Sequence, residues 1–95
     1  MNIKIQSINF TLNKKLNNFL NKKINKLIAI HDTIINADVY LKVDKPDAYG
    51  NKIVEIKLHS PIGAFFAKKQ SNSFEESADL ASQALRKQII KNKQK

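Results

Sequence analysis

Ala37-Asp38-Val39-Tyr40-Leu41-Lys42-Val43 and, after ten intervening residues, Val54-Glu55-Ile56-Lys57-Leu58-His59 carry the same alternation of apolar and polar side chains. A period of two puts every second side chain on one face, so each stretch predicts a strand buried on one side and solvated on the other. Between them lies Asp44-Lys-Pro-Asp-Ala-Tyr-Gly-Asn51, in which Pro46 and Gly50 supply turn chemistry. The pair therefore reads as an antiparallel hairpin with a long tip. Ser60-Pro-Ile-Gly63 makes a second, tighter turn, and residues 62–70 read as a further strand. Its inward register is undecided, because Phe65 and Phe66 are adjacent and only one of them faces inward.

Working outward, Ile3 and Ile5 alternate with Asn2, Lys4 and Gln6, which predicts a short strand ending near Ile8. Thr11 is placed to cap a helix over residues 12–30, where Leu12, Leu16, Phe19, Leu20, Ile24, Leu27 and Ile28 recur at steps of three and four. Lys15, Lys22 and Lys26 fall in line on its polar side. At the other end Ser73-Phe-Glu-Glu76 has the pattern of a capping box, and it opens a second helix whose apolar stripe is Phe74, Ala78, Ala81, Leu85 and Ile89.

The element order is βαβββα, an α+β fold forming one domain over residues 1–95. Short connections and a right-handed crossover leave few assemblies. If the first strand runs up, the first helix returns down, the second strand runs up beside the first, the hairpins send the third down and the fourth up, and the last helix comes down. The expectation is a four-stranded sheet with two parallel helices packed on one face. Their C-terminal halves then lie at the same end of the molecule.

That geometry matters because of where the charge lies. The 95 residues hold 17 Lys+Arg against 8 Asp+Glu, a formal charge of +9. Residues 1–31 contain six lysines and no acid, residues 86–95 contain five cations and no acid, and all eight acids lie between, with the other six lysines. Parallel helices bring Lys22, Lys23 and Lys26 toward Arg86, Lys87 and Lys91, so two clusters distant in sequence become one basic ridge. Such a ridge suits a phosphate backbone. With 16 of the 17 cations lysine, point-charge contact with phosphates is favoured over bidentate reading of base edges, and recognition is expected to be by shape.

Several classes are excluded by composition. No cysteine is present, which removes disulfide frameworks and thiolate zinc sites. No uninterrupted apolar run exceeds four residues, as in Leu27-Ile-Ala-Ile30, so nothing approaches the ~20 residues that span a bilayer. With no apolar segment behind Met1, a cytoplasmic location is expected. His31 and His59 fall in different elements without a paired carboxylate nearby in sequence, and Gly50 and Gly63 are too few for a phosphate-cradling loop. No enzyme, metal, cofactor or small-molecule substrate is expected. The last helix opens on Glu75 and Glu76, where a double-stranded RNA domain places lysines. A small adaptor for an acidic protein, or a general RNA-binding module reading charge and shape, is the alternative reading.

The motifs also resemble a known family. Thr11 to Leu16 approximates a Thr-x-x-Leu-like helix start, Lys23-Ile-Asn-Lys26-Leu27 a Lys-Leu-x-Lys-Leu-like helix end, Val39-Tyr-Leu-Lys-Val43 a Val-x-Leu-x-Val strand, and Val54-Glu-Ile56 a Val-Glu-Ile strand. Most specific is Leu85-Arg-Lys-Gln88-Ile89-Ile-Lys91-Asn-Lys93, matching Leu-x-x-Gln-Ile-x-Lys-x-Lys. In these the chain resembles the ribosome hibernation promoting factors, also called ribosomal subunit interface proteins, in their short form. The resemblance implies binding to the small ribosomal subunit and its RNA, in the channel used by messenger and transfer RNA, with translation blocked by occupancy. It also implies that Lys22, Lys23, Lys26, Arg86, Lys87, Lys91 and Lys93 meet ribosomal RNA. Without a C-terminal dimerisation domain beyond Lys95, a monomer is expected off the ribosome.

Overall fold

The structure, a computed structural model, describes residues 2–8, 10–31, 33–44, 50–61 and 63–93. Its elements are β1 (Asn2–Ile8), α1 (Lys14–Ile28), β2 (Asn36–Val43), β3 (Lys52–Ser60), β4 (Gly63–Ser71) and α2 (Phe74–Lys93). The sheet order is β1-β2-β3-β4. β1 and β2 are parallel and the remaining pairs antiparallel.

The alternation sets the register. Val39 lies opposite Ile56 and Ile56 opposite Ala67, while Leu41 lies opposite Val54. These side chains share the face on which both helices lie and are buried there with Leu16, Leu20, Ile24 and Leu27 of α1 and Ala78, Ala81, Leu85 and Ile89 of α2. Full burial of a leucine or isoleucine contributes roughly 1.5–3 kcal/mol, so this apolar layer is what fastens the helices to the sheet. The undecided register of β4 is settled by pairing: Phe65 lies opposite Leu58 and Phe66 opposite Lys57. Phe65 is 8% exposed and Phe66 49%, so Phe65 enters the core and Phe66 stands on the solvent face.

Two helix starts differ from expectation in an instructive way. The cap of α1 is Asn13, not Thr11: its backbone is extended (φ −86°, ψ 160°) and its Oδ1 accepts from the Leu16 amide at 2.7 Å. The helix therefore begins at Lys14, and Leu12 packs half-buried against the core from the preceding loop. At α2, Ser73 Oγ accepts from the Glu76 amide at 3.1 Å, as a capping box requires, but the Ser73 amide donates to Ser71 Oγ at 3.4 Å. Phe10 stacks on Phe74 with ring centroids 4.7 Å apart, tying the loop before α1 to the first turn of α2.

The base of the long hairpin is closed by the Asp44 amide donating to Asn51 O at 2.9 Å. Its expected tip at residues 45–49 lies outside the described residues, as does Ile62 in the second turn. Gly63, which completes that turn, has φ 138°, a backbone that L side chains rarely adopt.

Candidate nucleic-acid interface

Because β1, β2 and β4 all run one way, α1 and α2 both return the other way, and the two helices are parallel neighbours. Each carries a polar stripe beside its apolar one. On α1 the stripe includes Lys22, Lys23 and Lys26; on α2 it is Asp79, Ser82, Gln83 and Arg86, at offsets of three, four and seven. Lys23 and Lys26 face Asp79, Ser82, Gln83 and Arg86 across an open groove of about 380 Å³, which Leu27 and Ile30 also line.

The expected ridge residues separate into three sets. Lys23, Lys26 and Arg86 meet at the groove. Lys22 lies on the flank of α1 and shares a smaller hollow with Phe19, Lys23 and Lys26. Lys87 and Lys91 are exposed on α2 but do not line the groove; Lys87 follows Arg86 by one residue, a turn of ~100° round the helix. Lys93 is the last residue of α2, and the placement of its side chain lies outside the described residues.

Lys23 is not a free cation. Its Nζ donates to Asp79 Oδ1 at 2.7 Å, joining α1 to α2 across the groove, and lies 5.5 Å from the centre of the Phe19 ring. Gln83 Nε2 holds the other Asp79 oxygen at 3.1 Å. The hydrogen bond from Lys23, and then its positive charge, hold the Asp79 carboxyl below its ordinary value of 3.8. Lys26 and Arg86 form no ion pair within 4.0 Å among the described residues. The sequence reading did not include Asp79, Ser82 and Gln83 in the site. Their three-and-four spacing beside the apolar stripe was the signal that marks them.

His59 Nε2 pairs with Asp38 Oδ2 at 2.8 Å across β2 and β3, and His31 Nδ1 contacts Thr33 Oγ1 at 2.6 Å. Among the described residues no group of three His, Cys, Asp or Glu side chains is arranged to hold a metal ion, and no helix is long and apolar enough to cross a membrane.

These features define a class first: a small α+β domain whose helical layer is a cation-rich surface suited to a polyanion. The chain belongs to the sigma 54 modulation protein / S30EA ribosomal protein family, whose model matches residues 3–95. Membership bears out the resemblance read from the sequence, and it makes the chain a ribosome-associated protein of the subunit-interface type and not an enzyme. Its fold is similar to that of a ribosomal subunit interface protein from Coxiella burnetii, at 23% identity over 100% of both chains with a TM-score of 0.88. It is also similar to the N-terminal domain of Protein Y from Thermus thermophilus, at 23% identity over 94% of this chain and 96% of that one, with a TM-score of 0.80. None of the curated proteins matches.

Proposed function

We propose that the chain is a hibernation factor that occupies the messenger and transfer RNA channel of the small ribosomal subunit, acting as a cytoplasmic monomer, and inhibits translation by filling that space. Ribosomal RNA is met by Lys22, Lys23, Lys26, Arg86, Lys87, Lys91 and Lys93. What supports the reading is the juxtaposition of α1 and α2: two segments rich in lysine and far apart in sequence face solvent from one helical layer, with Lys26 and Arg86 on the same groove. A surface of this kind binds backbone phosphates through released counterions. With about six contacts, affinity falls roughly a thousandfold between 50 and 200 mM salt.

The test is cosedimentation with ribosomes. Wild-type protein pellets with the small subunit at low salt, is released at high salt and is displaced by initiation factors that use the same channel. Lys87→Glu combined with Lys91→Glu leaves the fold intact, since both side chains are exposed, and removes the binding. Undiminished binding by that variant would show that α2 does not face the ribosome.

A further inference from the structure

The two edges of the sheet are finished differently. β4 is guarded: Gln88 of α2 donates from Nε2 to the Phe66 carbonyl at 2.8 Å, Lys68 and Lys69 are exposed on the strand, and its inward Phe65 and Ala67 are buried. Covering groups and lysines are the means by which an edge refuses a further strand. Of these β1 has a single lysine, Lys4. Its seven residues pair one-to-one with β2 from Asn2 to Ile8, without a bulge or a proline. Among the described residues, no group outside β2 hydrogen-bonds to its backbone. Its inward Ile3 and Ile5 are half-buried, whereas Ala37 and Val39, which lie opposite them on β2, are each 1% exposed. The apolar layer stops short at this edge, with backbone bonds and apolar contacts both left to be made.

Charge specifies the occupant. Lys4 is exposed on the other face of β1, and its register partner Asp38 is taken by His59. Lys4 therefore forms no ion pair within 4.0 Å among the described residues. A second copy of the chain would bring another +9 to the same place and no acid within residues 1–31 to meet Lys4. We propose that β1 is a docking edge for an extended segment of another protein in which apolar residues alternate with acidic ones. The added strand pairs its backbone with the outer edge of β1, lays its apolar row beside Ile3 and Ile5, and sets an acid beside Lys4. β1 lines neither the interhelical groove nor the hollow beside Lys22, so this site is separate from the cation-rich surface and stands independently of the ribosome reading.

The probe is an octapeptide of alternating valine and glutamate, added to the full chain and followed by amide shifts and hydrogen exchange. Every second amide of β1 is expected to exchange about tenfold more slowly or better with the peptide bound, and those of β4 to stay as they were. Lys4→Glu, a change at an exposed position, is expected to weaken this peptide about five- to tenfold and to favour one of alternating valine and lysine. No protection of β1 at millimolar peptide overturns the proposal. So does equally tight binding by a shuffled peptide of the same composition, or by one whose nitrogens are all methylated and cannot donate. Unaltered binding by Lys4→Glu would overturn the preference for acids. Protection of β1 that rises with protein concentration in the absence of peptide, together with a dimer in sedimentation, would give the edge to a second copy instead.

Discussion

The helical layer and the open face of the sheet both present lysines to solvent, yet they treat acids differently. On the sheet, cross-strand register interleaves the signs: Asp38 lies between Lys4 and Lys57, and Glu55 between Tyr40 and, on β4, Lys68. Glu55 pairs with Lys42 at 3.3 Å, and Asp38 with His59. On the helices no acid occurs within α1, and Asp79 is the residue of α2 that reaches across to it. Net charge alone therefore does not separate the two faces. On the open sheet face Asp38 and Glu55 offset two of the four lysines Lys4, Lys42, Lys57 and Lys68, whereas α1 carries no acid and the acids of α2 lie in its first two turns, so the positive field is less compensated over the C-terminal halves of the helices.

The largest expected effect tests what holds the two faces in place. Leu85 is fully buried beneath the helical surface, whereas Phe66 stands 49% exposed on the open face. Leu85→Ala is expected to cost about 2–5 kcal/mol in urea unfolding, from lost transfer energy and the cavity left behind. Phe66→Ala is expected to change stability by about 0.5 kcal/mol or less. A large loss at Phe66 would mean that the open face is covered by packing and is not the free surface described.

Next in size is a contrast of charge reversals. Lys57→Glu with Lys68→Glu removes as many cations from the sheet as Lys87→Glu with Lys91→Glu removes from α2. On the ridge the change is expected to lower ribosome affinity about a hundredfold at low salt, and on the sheet less than about threefold, because phosphate contacts supply the salt-dependent part of binding. Equal losses would break the comparison by showing that both faces meet RNA.

How much of this was legible depended on whether the deciding interaction was local. The alternation in Val39-Tyr-Leu-Lys-Val43 and Val54-Glu-Ile56 fixed the hairpin and the face the helices cover, since parity is a property of each strand alone. Element order then sufficed for the parallel helices. The choice between Phe65 and Phe66 was not legible, because it depends on which residue of β3 each opposes. The cap of α1 was misread at Thr11 because both Thr11 and Asn13 are good caps, and the apolar run beginning at Leu12 drew the boundary too early. Within the site, the approach of Lys26 to Arg86 followed from topology. The Lys23–Asp79 bond did not, as it joins residues 56 apart in sequence and depends on how far one helix is rotated against the other.

That ion pair is where the smallest effect is expected, and its sign can be worked out. Asp79 is held below its ordinary 3.8 in the folded protein by the Lys23 hydrogen bond and charge. A carboxyl depressed by folding contributes stability that is fully present above its unfolded value and is lost as pH falls through the folded one. The contribution is therefore complete at neutral pH and disappears on acidification below about 3.8, releasing Lys23 to the groove. Its size is modest, since the two side chains are 30% and 46% exposed and solvent screens the pair. A carbon-detected titration of the Asp79 carboxyl should give a midpoint below 3.8 in the wild type, returning toward it in Lys23→Met. A midpoint that ignores this substitution would place the cause elsewhere than in Lys23. The helical layer would then hold one more uncompensated cation than the structure assigns to it, and its contrast with the sheet would sharpen.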